Sequence, residues 1–404
     1  MKAMHALLAA SLTVMAMVPV AEAQVPRSLV SRLMPGLDQR VVLVAGTPLS
    51  DGTRYLPQND LTAWFPGKAG TGILMVGHEL RAGAEGGVGG AFSRLEVRRT
   101  RGKDGLDFVV TGGQRWAQGM HNNCAGGVTP WGTVLSGEEY PIRALPETDW
   151  AAIGKPPYAA NSPILAYGWI QEIDPGANEP SARLKTRKAM GRFSHEAAAV
   201  ADLRTVYMTE DDADGHLYRF TAKRPRDLSE GRLEALDVRG RRWITLADPG
   251  NASWEATRKG ATLFQRLEDV QIGPDRAVWF AETGMPEKGD PYGRVHRLDP
   301  RTLELRTVVA GDGRRLANPD NLAFDRKGRL YICEDQNQEN YDSYGDNQIL
   351  RWNQQDGSLT EVLAIGGAAE PSGPSFLGED DSLVFTVMAG RASQLVHVWG
   401  APLL

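Results

Sequence analysis

Acidic side chains, and in one case a thiol, recur in this chain in pairs whose members are 14 residues apart. The four pairs are Cys124 and Glu138, Glu196 and Glu210, Glu268 and Glu282, and Asp320 and Glu334. A related but longer unit places Asp60 before Glu79. Carboxylate oxygens suit hard cations such as Ca²⁺ and Fe³⁺, and a thiolate among them points to a softer transition metal. The spacing therefore predicts a metal centre to which several repeats contribute.

The elements that must position these pairs are short strands. An apolar strand leads to the second position, as in the segments TVYMTED (205–211), AVWFAET (277–283) and RLYICED (329–335). A turn and a partner strand follow, and six such units of roughly 50–70 residues can be counted, which is typical of propeller blades. We therefore predict an all-β fold, a six-bladed β-propeller with loop or helical insertions at 141–167 and 221–262. The spare strand at 41–46 is free to complete a blade with the C-terminal residues.

A propeller would bring the paired positions together, because the innermost strand of every blade lines the central axis. The first positions would then form a ring, and the second positions would lie near its mouth. Carboxylates this close cannot all stay ionised and unpaired in a site of low dielectric constant. Arg81, Arg192 and Arg266 lie near them in the sequence, but three arginines are too few to compensate so many acids. Bound cations are therefore the expected partners.

A structural role for the repeated acids stays open beside the metal hypothesis. Such side chains in propellers also accept backbone N–H bonds in the blade turns. This role explains the repetition, but it explains Cys124 poorly, because a thiol is a weak acceptor. Two or three of the adjacent acids are further candidate ligands: Glu139, Asp211, Asp212 and Asp335. The histidines beside these segments are candidate ligands, acid–base groups or ordinary hydrogen-bonded side chains: His78, His121 and His195.

Composition and the N-terminus narrow the class of protein. The net charge of −5 comes from acids and bases that are mixed along the chain, which gives no support for nucleic-acid binding. Residues 1–23 are typical of a secretory signal, with Lys2, an apolar run too short to span a membrane and an Ala21-Glu22-Ala23 cleavage site. We expect an exported protein without a membrane anchor, whose residues 24–404 form a single propeller domain.

Several segments together resemble the PhoX-type alkaline phosphatases. They are NNCAGGVTPWGTVLSGEE (122–139), GRFSHEAAAV with VYMTEDD (191–212), RLEDV (266–270), NPDNLAFDRKGRLYICED (318–335) and an early GHE (77–79). The resemblance implies a six-bladed propeller that hydrolyses small phosphomonoesters at alkaline pH in the periplasm or outside the cell. One departure is that the family's Arg-Pro-Glu is Arg266-Leu267-Glu268 here, which could alter how Arg266 is aimed.

The resemblance also implies a site. Its centre would contain irons and calciums, with the Cys124 thiolate bridging two irons. The carboxylate ligands carried over from the family would be Glu79, Glu138, Glu139, Glu210, Glu268 and Asp320, and the repeat adds Glu196, Glu282 and Glu334 as further candidates. Arg266 would contact the phosphate and neutralise charge on its oxygens during in-line attack.

Two other functions compete with the phosphatase hypothesis. The segment NPDNLAFDRKGRLY (318–331) also resembles six-bladed calcium-dependent lactonases and gluconolactonases. A single calcium ion needs neither a thiolate nor so many acids, so Cys124 argues against that alternative. The second competitor is a non-enzymatic propeller whose acids hold structural calcium. It predicts folding that depends on calcium, no metal-centred colour and no turnover.

Overall fold

The computed structural model describes residues 27–102, 105–139, 167–336, 345–367, 369–378, 382–401 and 403. The predicted signal at 1–23 and most of the insertion predicted at 141–167 lie outside these residues. Within them, short apolar runs separated by Gly-, Asn- and Asp-containing turns form strands that assemble into six antiparallel sheets.

Each sheet is one blade, numbered here from the first inner strand along the chain. Blade 1 contains β3 (Asn59–Pro66), β4 (Thr71–His78), β5 (Gly90–Gly102) and β6 (Gly105–Met120). Blade 2 contains β7 (Asn123–Val128), β8 (Val134–Glu138), β9 (Ile170–Ile173) and β10 (Leu184–Thr186). Blade 3 contains β11 (His195–Val200), β12 (Thr205–Glu210), β13 (Leu217–Arg224), β14 (Asp227–Asp237) and β15 (Arg242–Thr245).

The last three blades follow the same plan. Blade 4 contains β16 (Leu267–Ile272), β17 (Val278–Glu282), β18 (Arg294–Leu298) and β19 (Leu305–Ala310). Blade 5 contains β20 (Pro319–Phe324), β21 (Leu330–Glu334), β22 (Asn347–Trp352) and β23 (Leu359–Ile365). Blade 6 contains β24 (Glu370–Phe376), β25 (Leu383–Met388) and β26 (Gln394–Gly400). The six-bladed β-propeller predicted from the repeat is confirmed.

The N-terminal part of the described chain completes two blades. Strand β2 (Leu37–Val44) pairs antiparallel with β26 in blade 6, as predicted for the spare strand, although it begins before residue 41. Strand β1 (Val30–Leu33), which was not predicted, pairs antiparallel with β23 in blade 5. Both ends of the chain therefore contribute to closing the ring.

The predicted insertion at 221–262 is wrong in its larger part. It consists mainly of β14, β15 and the end of β13, which are outer strands of blade 3, and only the helix Ala252–Arg258 agrees with the expected helical content. Leu228, Leu233 and Ala235 of β14 are buried against blade 3. Charged residues on the exposed side of these strands masked the alternation of apolar and polar residues that is typical of a strand. The remaining helical turns are short: Ala84–Gly87, Pro180–Ala182, Lys188–Met190, Pro249–Asn251, Pro286–Lys288 and Gly390–Ala392.

The cores lie between neighbouring blades, where apolar faces pack on each other. Val278 and Phe280 of blade 4, for example, pack against Leu217 and Leu236 of blade 3. The six inner strands contact one another in the order of the blades around the axis. Blades 1 and 4 therefore stand opposite each other. The upper face is defined here as the one at which the inner strands begin.

Candidate metal centre

Five inner strands place a metal-binding side chain at the same position. Asp60, Cys124, Glu196, Glu268 and Asp320 are each the second residue of their strand, and all five are buried. A register shift follows in each strand, between residues 59 and 61, 123 and 126, 195 and 198, 267 and 270, and 319 and 322. Bulges of this kind re-aim side chains next to functional sites. The five residues form the axial ring.

Blade 6 departs from this pattern. By register, its ring position is Gly373, whose missing side chain leaves room for a close approach: a Cβ there would lie 2.7 Å from the Thr62 backbone nitrogen. The acid of this blade is instead Glu370, at the start of β24. Burial and the charges of Asp335 and Asp60 raise the pKa of Glu370 well above its usual range. Glu370 was not predicted, because it has no partner at the repeat spacing.

The ring residues and their neighbours form three overlapping groups. In each, three ligand atoms lie within 4.8 Å of one another. The groups are Glu79, Cys124 and Glu139; Asp60, Cys124 and Glu196; and Glu196, Glu268 and Asp320. Cys124 belongs to two groups, and Glu196 links the second to the third. One sulfur atom and one carboxylate therefore connect three potential cation sites along the axis.

A second layer of acids lies directly after the second strand of the blades. Glu79, Glu139, Asp211 and Asp335 occupy this position in blades 1, 2, 3 and 5. The backbone N–H of each donates to the carbonyl two residues before the ring position, at Gln58, Asn122, Ser194 and Asn318 respectively. This repeated bond holds the second layer beside the ring.

The residue two positions before the ring also contributes a side chain in two blades. Asn122 Nδ2 donates to Glu79 Oε1 at 3.3 Å and to Glu139 Oε2 at 3.5 Å. Arg266 Nε and Nη2 donate to Asp211 at 3.0 and 2.9 Å, and Nη2 lies 3.0 Å from Glu268 Oε1. Both residues have left-handed backbones, with φ of 40° and 58°, a conformation that is costly for residues other than glycine and clusters at functional sites. Asn122 was not predicted, although its fixed offset from the ring position is a usable signal.

Four of the predicted ligands lie elsewhere, in the blade turns. Glu138 accepts the N–H groups of His121, Gly168 and Trp169, and Glu210 accepts the N–H of His216 and the Tyr218 hydroxyl. Glu282 accepts from Gln265 N and bonds His296 Nε2, and Glu334 accepts from Ala317 N. Among the described residues, none of these four acids belongs to a group able to hold a metal ion. Their geometry is that of the turn-holding alternative.

Burial dominates the electrostatics of the centre. It raises the pKa of the Cys124 thiol well above its usual range, and the charges of Glu196, Glu79 and Glu139 add to the effect. Burial and neighbouring acids raise the pKa of Asp60 and of Glu139 to about 7. The same two causes raise the pKa values of four further acids well above their usual range: Glu79, Glu196, Glu268 and Asp320. So many buried acids favour either protons or cations as partners.

Comparison with known proteins decides the family. The sequence profile described as "Alkaline phosphatase PhoX" matches residues 99–389. The chain belongs to the PhoX alkaline phosphatase family. Its enzyme class is therefore that of the phosphoric monoester hydrolases. No curated protein sequence matches it.

One solved structure in particular agrees with the fold of this PhoX-family chain. Pseudomonas fluorescens PhoX in complex with vanadate, a transition state analogue, superposes with a TM-score of 0.74 at 19% identity, covering 92% of this chain and 96% of that one. Two further structures have TM-scores of 0.44: virginiamycin B lyase from Staphylococcus aureus (12% identity, 90% and 100% coverage) and a gluconolactonase from Xanthomonas campestris (14%, 92% and 98%).

The donor set of the PhoX-family chain fits several cations. Each of the three groups offers carboxylate oxygens, and two add the same sulfur. Asp60 Oδ2 is buried without a hydrogen-bond partner among the described residues, which suits an atom that binds a cation. The three predicted histidines lie outside the groups: His78 and His195 are buried and hydrogen-bonded, and His121 accepts from Ala82 N.

No helix in the described part of the chain has the length and apolar character needed to cross a bilayer.

Proposed function

We propose that this protein is an exported, metal-dependent phosphomonoesterase with a multinuclear iron and calcium centre in the propeller axis. The observation that carries the proposal is the position of Cys124, whose sulfur is shared by two groups of acids. A bridging thiolate between two irons would occupy such a position. Export rests on the signal-like sequence of residues 1–23, with residues 24–404 as one catalytic propeller.

The candidate ligands are the residues of the three groups: Asp60, Glu79, Cys124, Glu139, Glu196, Glu268 and Asp320. Cys124 and the second-layer acids around it suit iron, whereas the all-carboxylate group of Glu196, Glu268 and Asp320 suits calcium. Bound there, the ions would supply Lewis-acid polarisation of the phosphoryl group and activation of the attacking water. Glu138, Glu210, Glu282 and Glu334 are left out of the proposed ligand set, because among the described residues none of them belongs to a group able to hold a metal ion.

Arg266 is the proposed phosphate-binding residue. Its side chain is 34% exposed, so a substrate can reach it from the upper face. Asp211 holds the guanidinium through Nε and Nη2, and the N–H groups of Nη1 would be available to a phosphate. With Leu267 in place of the family's proline, Arg266 in this chain also contacts the ring acid Glu268. Arg266 would then stabilise charge on the phosphoryl oxygens in the transition state.

The competing functions account for less of the same centre. A lactonase with one calcium ion would use only the carboxylate group and would leave Cys124 unexplained. A structural calcium site would likewise not need the sulfur. The phosphatase proposal therefore accounts for more of the buried groups than either alternative.

Elemental analysis of the purified protein, combined with an aryl phosphate assay at alkaline pH, tests the proposal. We expect iron and calcium together, and phosphatase activity that is lost on chelation and regained when both metals are restored. Activity without iron, or a calcium-only protein without turnover, would overturn the proposed centre.

A further inference from the structure

The connector between β4 and β5 begins with the candidate ligand Glu79, and the residues that follow it lie beside the proposed centre without belonging to its ligand set. Its residues 79–89 are mostly glycine and alanine, and only Glu79, Arg81 and Glu85 carry charge. Leu80 is buried in a small apolar cluster with Leu56 and Ala91, which fixes the start of the connector. A Cβ at Gly83, Gly86 or Gly87 would meet nothing within 4 Å, so these residues border open space at the upper face.

Arg81 is the charged group of this connector that is left without a counterion. Glu79 belongs to the group with Cys124, and Glu85 lies 3.9 Å from Arg391. Arg81 is exposed, and among the described residues its guanidinium makes no hydrogen bond or ion pair. Its backbone is fixed, because Arg81 O accepts from Ala84 N and Leu80 O accepts from Asn122 N.

The position of Arg81 relates it to the substrate. The backbone N–H of Ala82, the residue after Arg81, donates to His121 Nδ1 at 2.8 Å, so this part of the connector lies against that ring. His121 directly precedes Asn122, which bonds both Glu79 and Glu139. Arg81 of blade 1 thus stands on the rim of the proposed centre, opposite Arg266 of blade 4. If the phosphate of a substrate is bound at Arg266, its ester group would extend across the axis or outward. In both cases it would pass over this open rim.

We propose that Arg81 recognises a second anionic group, on the leaving-group side of the substrate. Resting on the proposed phosphatase function, this assigns the enzyme a preference for phosphomonoesters whose alcohol itself carries a carboxylate or phosphate. The contact is present in the bound substrate and in the transition state alike, so it acts on KM rather than on kcat. Because Arg81 is exposed, salt weakens the contact.

The test compares 3-phosphoglycerate with glycerol 3-phosphate, which differ by a carboxylate in place of a hydroxymethyl group. The measured quantity is kcat/KM for 3-phosphoglycerate divided by kcat/KM for glycerol 3-phosphate, both at low ionic strength. We expect Arg81→Ala to lower this ratio about 2- to 5-fold through KM, and Arg81→Lys to lower it less. The matched control is Arg301→Ala, an exposed arginine in the β18–β19 turn on the opposite face, which should leave both substrates unchanged.

Each outcome decides the matter. An unchanged ratio, an equal loss for both substrates or a loss of bound metal in Arg81→Ala would overturn the role of Arg81 while leaving the phosphatase proposal in place. Failure of the unmutated, metal-loaded protein to hydrolyse either ester would overturn the proposed function itself, and this inference with it.

Discussion

Glu138 and Glu139 are consecutive in the sequence, yet their carboxylates serve different environments. Glu138 accepts three backbone N–H groups in the turns of blade 2, whereas Glu139 Oε2 lies 3.6 Å from Cys124 Sγ in the axis. We expect Glu139→Gln to lower metal content and to reduce kcat/KM about 10-fold or more, since it removes a charged ligand. Metal analysis and the aryl phosphate assay measure both effects.

The neighbouring variant Glu138→Gln is the matched control. It replaces one acceptor oxygen by an amide that faces N–H groups, so it should cost about 1–3 kcal/mol of unfolding free energy. Bound metal should stay near the level of the unmutated protein. Metal loss in Glu138→Gln equal to that in Glu139→Gln would contradict the division between turn and axis.

The two cysteines provide a second matched pair. Both are buried and free, but Cys333 lies in the apolar core with Ile349 and Phe385. Cys124→Ser should lower iron content and activity, because a hydroxyl does not replace a bridging thiolate. Cys333→Ser should keep both and lower the unfolding free energy by about 1–3 kcal/mol, the cost of a buried hydroxyl that lacks a partner. Unchanged iron in Cys124→Ser would disprove the bridge.

Arg266→Ala tests the contact with phosphate. Loss of a charge-assisted hydrogen bond in the transition state should reduce kcat/KM for an aryl phosphate about 10- to 100-fold. Arg266→Lys should recover little, because lysine lacks the planar fork that Asp211 holds. Arg219→Ala removes a comparable ion pair, with Glu234 on the outer strands of blade 3, and should leave turnover unchanged. Equal kinetics for the two alanine variants would remove Arg266 from the site.

The buried acids predict how the stability of metal-free protein depends on pH. The folded-state pKa of Asp60 and Glu139 is raised to about 7, so between about pH 4 and that value the folded state binds more protons than the unfolded chain. The contribution of this proton binding to the free energy of unfolding is fully present below about pH 4 and is lost as pH rises through about 7.

Urea unfolding of chelator-treated protein at about pH 5 and about pH 9 measures this effect. We expect lower stability at the higher pH, and a smaller difference once iron and calcium are restored, because the ions take over from the protons. Equal stability at the two pH values without metal would mean that the acids are compensated in some other way.

Much of the fold follows from the sequence, because the strand–turn–strand repeat is regular. The spacing from Cys124 to Glu138, repeated in three further units, reflects an inner strand, a turn and a second strand in fixed register. The first positions of the pairs were therefore placed correctly on the inner strands, and the N-terminal strand was correctly assigned to the closing blade. The outer strands of blade 3 were missed, since their exposed residues are strongly charged.

The composition of the centre was harder to predict than its location. Side chains in a strand alternate between faces, so a shift of one residue separates an axial carboxylate from one in a turn. Asp211 and Asp335 could not be distinguished in this way from Glu210 and Glu334. The bulge after each ring residue, and the left-handed backbone at Asn122 and Arg266, are set by three-dimensional packing. Both features recur at a fixed offset from the ring residue, but the residue types at those offsets vary, so the sequence does not reveal the conformation.

The use of β1 and β2 to finish blades 5 and 6 has a consequence for biogenesis. Val30 pairs with Ile365, and Leu37 pairs with Gly400, so these contacts join residues from opposite ends of the polypeptide. The ring of blades can close only after synthesis has reached Gly400, and contacts between residues so distant in the sequence form slowly. Translocation in an unfolded state is therefore compatible with this architecture, and loss of either β2 or β26 removes the same strand pair from blade 6.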